Sequence, residues 1–439
     1  MTSAEALDLC EQVLAIAGGD ADVTVAESTE ALLRFANNEP IQHSVFTRLT
    51  VSLSLRLGQR FGQATVQAAG PADLARLVAQ ARQQAELLPP EPDLLPSVGP
   101  QTLASVSAFV PAAAPAAFDE TARAEAAAAL VAPAKAKGWT TAGIVSNESR
   151  QIARAASGGM RGTYAATELE IDLTVQAPDS TGRASAWARD PAAIDPAALG
   201  ALAAERAARA AGPAAIEPGC YPVVLSAHAV GSLLWYLGGG FNARAVKEGR
   251  SWVADRRGQR VASERITLRQ DVTHPLLQAQ PFDGDGLAVA PVVMLRGGVI
   301  DALLYDRRTA AEDGAGPTGW SHGGRNAYGA GPSALVLEGG GASEAELLAA
   351  IGDGIYVERL WYTNWVDPKA CVVTGMTRDG LYRVRGGRLA EPLLNLRFNQ
   401  NLLALLAGVR AVGRVEALGH AAAPALAADG FALSSGTSF

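Results

Sequence analysis

Cysteine and histidine, from which many metal and nucleophilic sites are assembled, are scarce. The 439 residues include three cysteines, Cys10, Cys220 and Cys371, and five histidines. The cysteines are far apart and form no C-x-x-C pair, which argues against a disulfide framework and suits a reducing compartment. The histidines, His43, His228, His274, His322 and His420, never fall three or four residues apart. No helical ligand pair is therefore available, and a zinc site would have to draw on carboxylates or Cys371 across the fold. Charged residues make up only 18% and the net charge is -7, so there is no electrostatic footprint for nucleic acid or an anionic membrane. No run approaches 18 uninterrupted apolar residues, so no ordinary membrane span is expected. Met1–Glu5 lacks the basic and apolar regions of a signal peptide, and a cytoplasmic location follows as an expectation. H-E-x-x-H, G-x-S-x-G, Walker A and a strand–helix G-x-G-x-x-G are all missing.

What is present is the composition of a globular chain, 49% hydrophobic, and its length favours two domains. Residues 3–17 carry apolar positions at helical spacing and stop at Gly18-Gly19. Short alternating segments follow at 21–27, 30–36, 41–46, 48–57 and 60–67. In 48–57 the alternation Leu49, Val51, Leu53, Leu55, Leu57 is that of a half-buried strand. Pro71 opens a helix over 71–86. The seven prolines of 88–116 predict an extended surface connector. Helices are expected at 118–137 and 195–211, with strands between and a turn at Asp179–Gly182. Glu217-Pro218-Gly219 offers the best boundary, dividing an N-terminal domain, 1–217, from a C-terminal one, 218–439.

The second half opens with a strand at Tyr221–Leu225 and a short helix capped by Ser226. Strands then dominate, at 288–295, 299–305, 333–337, 354–358, 370–376 and 380–385. Gly-rich turns, Asp379-Gly380 among them, separate these strands. A capping box, Ser343 with Glu346, starts a helix at 343–351. The expected class is α+β, with an antiparallel sheet and long helices first and a β-rich, barrel-like part second. Gly238–Gly240 and Gly339–Gly341 lack a phosphate-loop lysine and read as turns. Cys371 lies in an apolar strand, where a buried, inert thiol is expected. Two polar stretches stand out on loops, where binding surfaces are usually built. One runs from Asp306-Arg307 through Glu312 to Trp320 and His322, and the other is Thr363-Asn364-Trp365; solvated loops are the plainer reading.

The order of motifs in the second half resembles the TldD/TldE (PmbA) family. The resemblance rests on Tyr221–Leu237, on Ser251–His274, and on Phe282-Asp283-Gly284-Asp285-Gly286 against the family's F-D-x-E-G turn. It continues through Gly297–Ala310 and Asn399–Leu403, and in the first half through Arg60–Ala64. Catalytic TldD-type members carry H-E-x-x-x-H on the helix after the first C-terminal strand. Aligned on Leu233-Leu234, this chain has Trp235 and Tyr236 in place of His-Glu and Gly240 in place of the second His. The resemblance is therefore to the TldE type. It implies a non-catalytic subunit with no metal of its own, zinc or iron residing in a TldD-like partner. An unfolded peptide would be the substrate, and Trp235 and Tyr236 would pack a collapsed metal region. Asn242, Asp306, Arg307, Trp320, His322 and Asn364 are the residues expected to touch peptide or partner. Two alternatives remain: an active hydrolase drawing on His274, His322, Asp306 or Glu312, and a stand-alone peptide-binding homodimer.

Overall fold

The computed structural model describes residues 1–67, 69–106, 118–277, 279–323 and 328–436. A helix, α1 (Ser3–Ala17), starts at a capping box formed by Thr2 and Glu5. Three antiparallel strands follow, β1 (Asp20–Ala36), β2 (Glu39–Leu57) and β3 (Arg60–Val66), then helix α2 (Pro71–Leu87). Helix α3 (Glu120–Lys135) leads into β4 (Thr140–Ala156), β5 (Arg161–Gln176) and β6 (Thr181–Ala188), and α4 (Pro196–Arg209) closes the first half. The sheet order is β3-β2-β1-β4-β5-β6, all antiparallel.

The segments expected separately at 21–27 and 30–36 are one 17-residue strand, and 41–46 and 48–57 are also joined. Their polar interruptions do not break the ladder. Odd positions keep to one face throughout: Val23 and Val25 pack under α1 and α2, Leu33 and Phe35 under α3. A strand this long, roughly 55 Å, carries two helix pairs side by side. Even positions turn the other way. Ile152 and Ala156 meet Phe282 of the second half there.

The connector is extended as expected over its described part, 88–106, but it is not a loose surface strap. Val98 is buried, Ser97 N–H donates to Asp20, and the Gln101 side chain accepts from Ala288 N–H at 3.0 Å. It is wedged between the halves. Residues 107–116 of that expected connector lie outside the described residues.

The second half begins with β7 (Gly219–Leu225), α5 (Ala227–Gly239) and α6 (Ala243–Lys247). Short strands β8 (Leu268–Gln270), β9 (Val292–Arg296) and β10 (Val299–Ile300) precede α7 (Arg307–Asp313), β11 (Leu335–Leu337) and α8 (Glu344–Ile351). Then come β12 (Gly354–Asp367), β13 (Val372–Arg385), β14 (Arg388–Pro392), β15 (Leu396–Asn401), α9 (Leu402–Ala407), β16 (Val409–Ala417) and β17 (Ala421–Gly436). The expected strand at 299–305 shrinks to two residues.

Strands β7, β12, β13, β15 and β17 pair in sequence, and β17 returns to pair with β7. That closed ring gives the barrel-like core expected from the sequence, with Phe398 and Phe431 fully buried at 5.3 Å between ring centroids. Asp379-Gly380 is not a turn between strands. It is a bulge inside β13, one extra residue between the pairs Val357–Leu381 and Arg359–Arg378. Thr363–Trp365 likewise lies within β12 and not between strands.

Candidate functional site

Helix α5 follows directly from its sequence. Ser226 Oγ accepts from Ala229 N–H at 3.2 Å, and Val230, Leu233, Leu234 and Leu237 form the buried stripe. That stripe sends position 235 to the opposite side of the helix, so Trp235 is 58% exposed. The expectation that Trp235 packs a collapsed metal region fails for this geometric reason. Tyr236 is half-buried. Its hydroxyl donates to the Thr363 carbonyl, and its ring meets Trp365 edge-on at 5.0 Å.

Gly240 ends the helix with φ -66°, a conformation open to any residue. Its missing side chain has a steric cause. A Cβ there would stand 2.6 Å from Cδ1 of Trp252 and closer still to Nε1. The Trp252 indole is 1% exposed, packs edge-on against Phe241 at 5.2 Å, and leaves Nε1 without a hydrogen-bond partner among the described residues.

The residues at the three metal positions implied by the resemblance do not fit a metal. An indole in solvent, a phenol tied to a carbonyl and a glycine under an indole supply no imidazole or carboxylate donor. Among the described residues, no group of three or more His, Cys, Asp or Glu is placed to hold one. His228 lies in the first turn of α5, where burial foremost, aided by Arg183 and Arg206, pushes its imidazole down to about 4. His43 contacts Arg123, while His322 and His420 are exposed. Cys371 is fully buried and its thiol is pushed up to about 12 by burial, which leaves it protonated and inert.

The polar candidates divide into two places. Asn242 caps α6, accepting from Arg244 N–H at 3.0 Å, and its amide donates to the Tyr328 carbonyl. Asp306 caps α7, accepting from Thr309 N–H at 2.7 Å. Lys247 joins the two helices through Asp313 at 2.7 Å and Glu312 at 3.0 Å. Trp320 is buried in the large core of the second half, and exposed His322 backs onto Gly284. Asn364 belongs elsewhere, exposed on β12 and donating to the Tyr362 carbonyl at 3.0 Å.

Sequence reasoning missed what Arg307 faces. A small charged cavity of about 100 Å³ between the halves is lined by Asp306 and Arg307 on one side. Asp22, Arg56 and Arg154 line it on the other. Arg56 and Arg154 both pair with buried Asp22, and Arg307 donates to the Pro96 carbonyl at 2.8 Å. The alternation within β1 and β4 puts Asp22 and Arg154 on the non-helical face, but only the fold reveals what covers it.

Residues 218–435 match the PmbA/TldA metallopeptidase C-terminal domain. The chain belongs to the TldD/PmbA family. Across nearly its whole length this TldD/PmbA chain has the fold of two solved structures. One, from Thermotoga maritima and described as a candidate modulator of a DNA gyrase, gives a TM-score of 0.85 at 19% identity, covering 97% of this chain and 99% of that one. The other, TldE from Thermococcus kodakarensis, gives 0.84 at 18%, covering 99% and 100%. At such identities the likeness is one of fold. A metalloprotease of Methanothermobacter thermautotrophicus is 29% identical over 187 residues, 42% of this chain and 40% of the relative's own length. This chain therefore aligns with less than half of that relative.

In this TldD/PmbA chain the Phe282–Gly286 turn has a mechanical role. Asp283 accepts from the N–H groups of Asp285, Leu287 and Ser321, each at 2.9 Å. Burial foremost, with Asp285 beside it, still pushes its carboxyl up to about 6. Phe282, held by this turn, packs with Val98, Met160 and Tyr164 of the first half.

Proposed function

We propose that this chain is the non-catalytic subunit of a two-subunit TldD/PmbA peptidase that degrades or matures unfolded peptides. Its partner would be a TldD-like chain carrying the zinc or iron. The observation that carries this reading is the Trp252 indole, which fills the space a side chain at 240 would need. A peptidase metal requires ligands and a base to activate its water, and positions 235, 236 and 240 offer neither. Support for a partner comes from the outer face of α5 and the end of β12. Trp235, Tyr362, Trp365 and Val366 are all exposed there. Aromatic residues gathered in this way mark association surfaces. An extended peptide in the shared chamber would be held through main-chain pairing, which needs few charges.

The test is to purify the chain alone and with a co-expressed TldD-like partner, then assay complex formation and cleavage of an unstructured peptide. The expected outcome is no cleavage by the lone chain, a stable heterodimer, and cleavage by the pair. Metal-dependent cleavage by the lone chain, or failure to bind such a partner, would overturn the reading; a stable homodimer that binds peptide would replace it.

A further inference from the structure

A cavity of about 510 Å³ opens between the turn at 176–181 of the first half and the outside of the ring. It is far larger than the charged cavity beside Arg307, and it is of mixed character. Pro213, Met376, Leu381 and Leu393 give it apolar walls, and Arg378 and Trp361 face each other within it. The Arg378 guanidinium lies over the Trp361 ring at 4.0 Å from its centroid. It makes no hydrogen bond among the described residues. Its ion pair with Asp379 is long, 3.6 Å from Nε to Oδ1. That carboxylate is already engaged, by Arg359 at 2.9 Å and by the Thr181 hydroxyl at 2.9 Å. Arg378 is thus a cation held flat on an indole with its donor fork unused.

The backbone at this place is costly. Asp379 adopts φ 57° and Gly380 φ 146°, and a Cβ on Gly380 would meet Cβ of Glu358 at 2.8 Å. Strained residues and bulges of this kind recur where a strand re-aims a side chain at a binding site. Asp379 is the buried member of the pair and reaches across to Thr181 of the first half. Its neighbour Arg378 is left at the cavity.

We propose that this cavity binds the carboxylate of a small amphipathic acid, with two of its oxygens on the Arg378 fork. The apolar body of the ligand would lie against Met376, Leu381 and Leu393. The volume falls in the range of about 300–1,000 Å³ usual for small-ligand sites, enough for one or two residues or a small organic acid. Two sources share this chemistry: the C-terminal carboxylate of a peptide ending in an apolar residue, and a free aryl or alkyl acid. The peptide source rests on the reading that this chain handles peptides, while the cavity itself does not.

The experiment is calorimetric titration of the purified full chain with three probes. These are N-acetyl-Ala-Ala-Phe as the free acid, the same tripeptide as its C-terminal amide, and 3-phenylpropionate. The free acid is expected to bind roughly tenfold or more tighter than the amide, because a planar fork discriminates strongly for a carboxylate. Arg378→Gln should erase that preference, and Arg378→Lys should retain only a small part of it. Arg378 is 40% exposed, so both variants should melt close to the wild type. Phenylpropionate binding with the same dependence on Arg378 assigns the site to free acids, and binding of the tripeptide acid alone assigns it to peptide ends. Equal binding of acid and amide, unaltered binding in Arg378→Gln, or no binding of any probe would overturn the proposal. The lone chain is used and no cleavage is read, so failure here leaves the subunit reading untouched.

Discussion

At the scale of single residues, Gly240 carries the most information. Its backbone angles are ordinary, so alanine would normally gain about 0.4–1 kcal/mol by stiffening the unfolded chain. The Trp252 ring reverses that sign. Gly240→Ala is expected to destabilise by about 1–3 kcal/mol, the usual cost of forcing a methyl into a filled core. Trp252→Phe in the same chain should recover part of the loss. Urea denaturation of the two single variants and the double variant measures this directly. A Gly240→Ala chain as stable as the wild type would mean that the indole yields, and the steric account of position 240 would fall. Restoring His-Glu at 235 and 236 and His at 240 is correspondingly obstructed at its last position.

At the scale of elements, α5 and the outer part of β12 form one surface. Tyr236 anchors it by the Thr363 hydrogen bond and the Trp365 contact. Trp235 contributes little to the fold, because more than half of it is in water. Trp235→Ala should therefore move stability by less than about 0.5 kcal/mol. If this surface receives the partner, the same change should weaken the complex by roughly tenfold or more, as truncation of a central aromatic anchor does. Melting curves and sedimentation of the mixed chains give the two readouts. Unchanged affinity would move the interface elsewhere.

Much of this element structure is legible in the sequence. The caps at Ser226 and Ser343 and the apolar stripe of α5 follow from local rules that tertiary contacts do not override. Less legible are the long strands. Polar residues at Ser28-Thr29 and Thr47 read as interruptions, yet a sheet this long has stretches between helix pairs where polar side chains cost nothing. The Asp379-Gly380 dipeptide is the usual signal for a hairpin turn. Here it serves a bulge, because Leu381–Val384 continue the ladder with Gly354–Val357.

At the scale of the whole molecule, many contacts join the halves, the Asp379–Thr181 hydrogen bond and the Arg206–Glu358 ion pair among them. The connector is hydrogen-bonded to both, Arg307 reaches Pro96 beside the Asp22 ion pairs, and Phe282 is driven into a pocket of the first sheet. Phe282 is 2% exposed. Phe282→Ala should cost about 3–5 kcal/mol. It should also separate a single denaturation transition into two, since the residue belongs to the joint and not to either main core. Chemical denaturation followed by tryptophan fluorescence, with limited proteolysis of the connector, would show it. A variant that still unfolds in one step at an unchanged midpoint would deny Phe282 that role.

The sequence by itself determined the class of fold, the longer helices, the caps at Ser226 and Ser343, and the family, since these depend on local spacing and motif order. The resemblance also implied a departure at Trp235, Tyr236 and Gly240. Only the tertiary structure decided what that departure means physically. Trp252 and Gly240 are twelve positions apart, and no periodicity places an indole over a glycine. The clusters at Asp22–Arg154 and Arg378–Trp361 likewise join strands that meet only when the sheets close. Side-chain direction is a local property of a strand or helix, while what covers that side chain is fixed by the packing of distant elements.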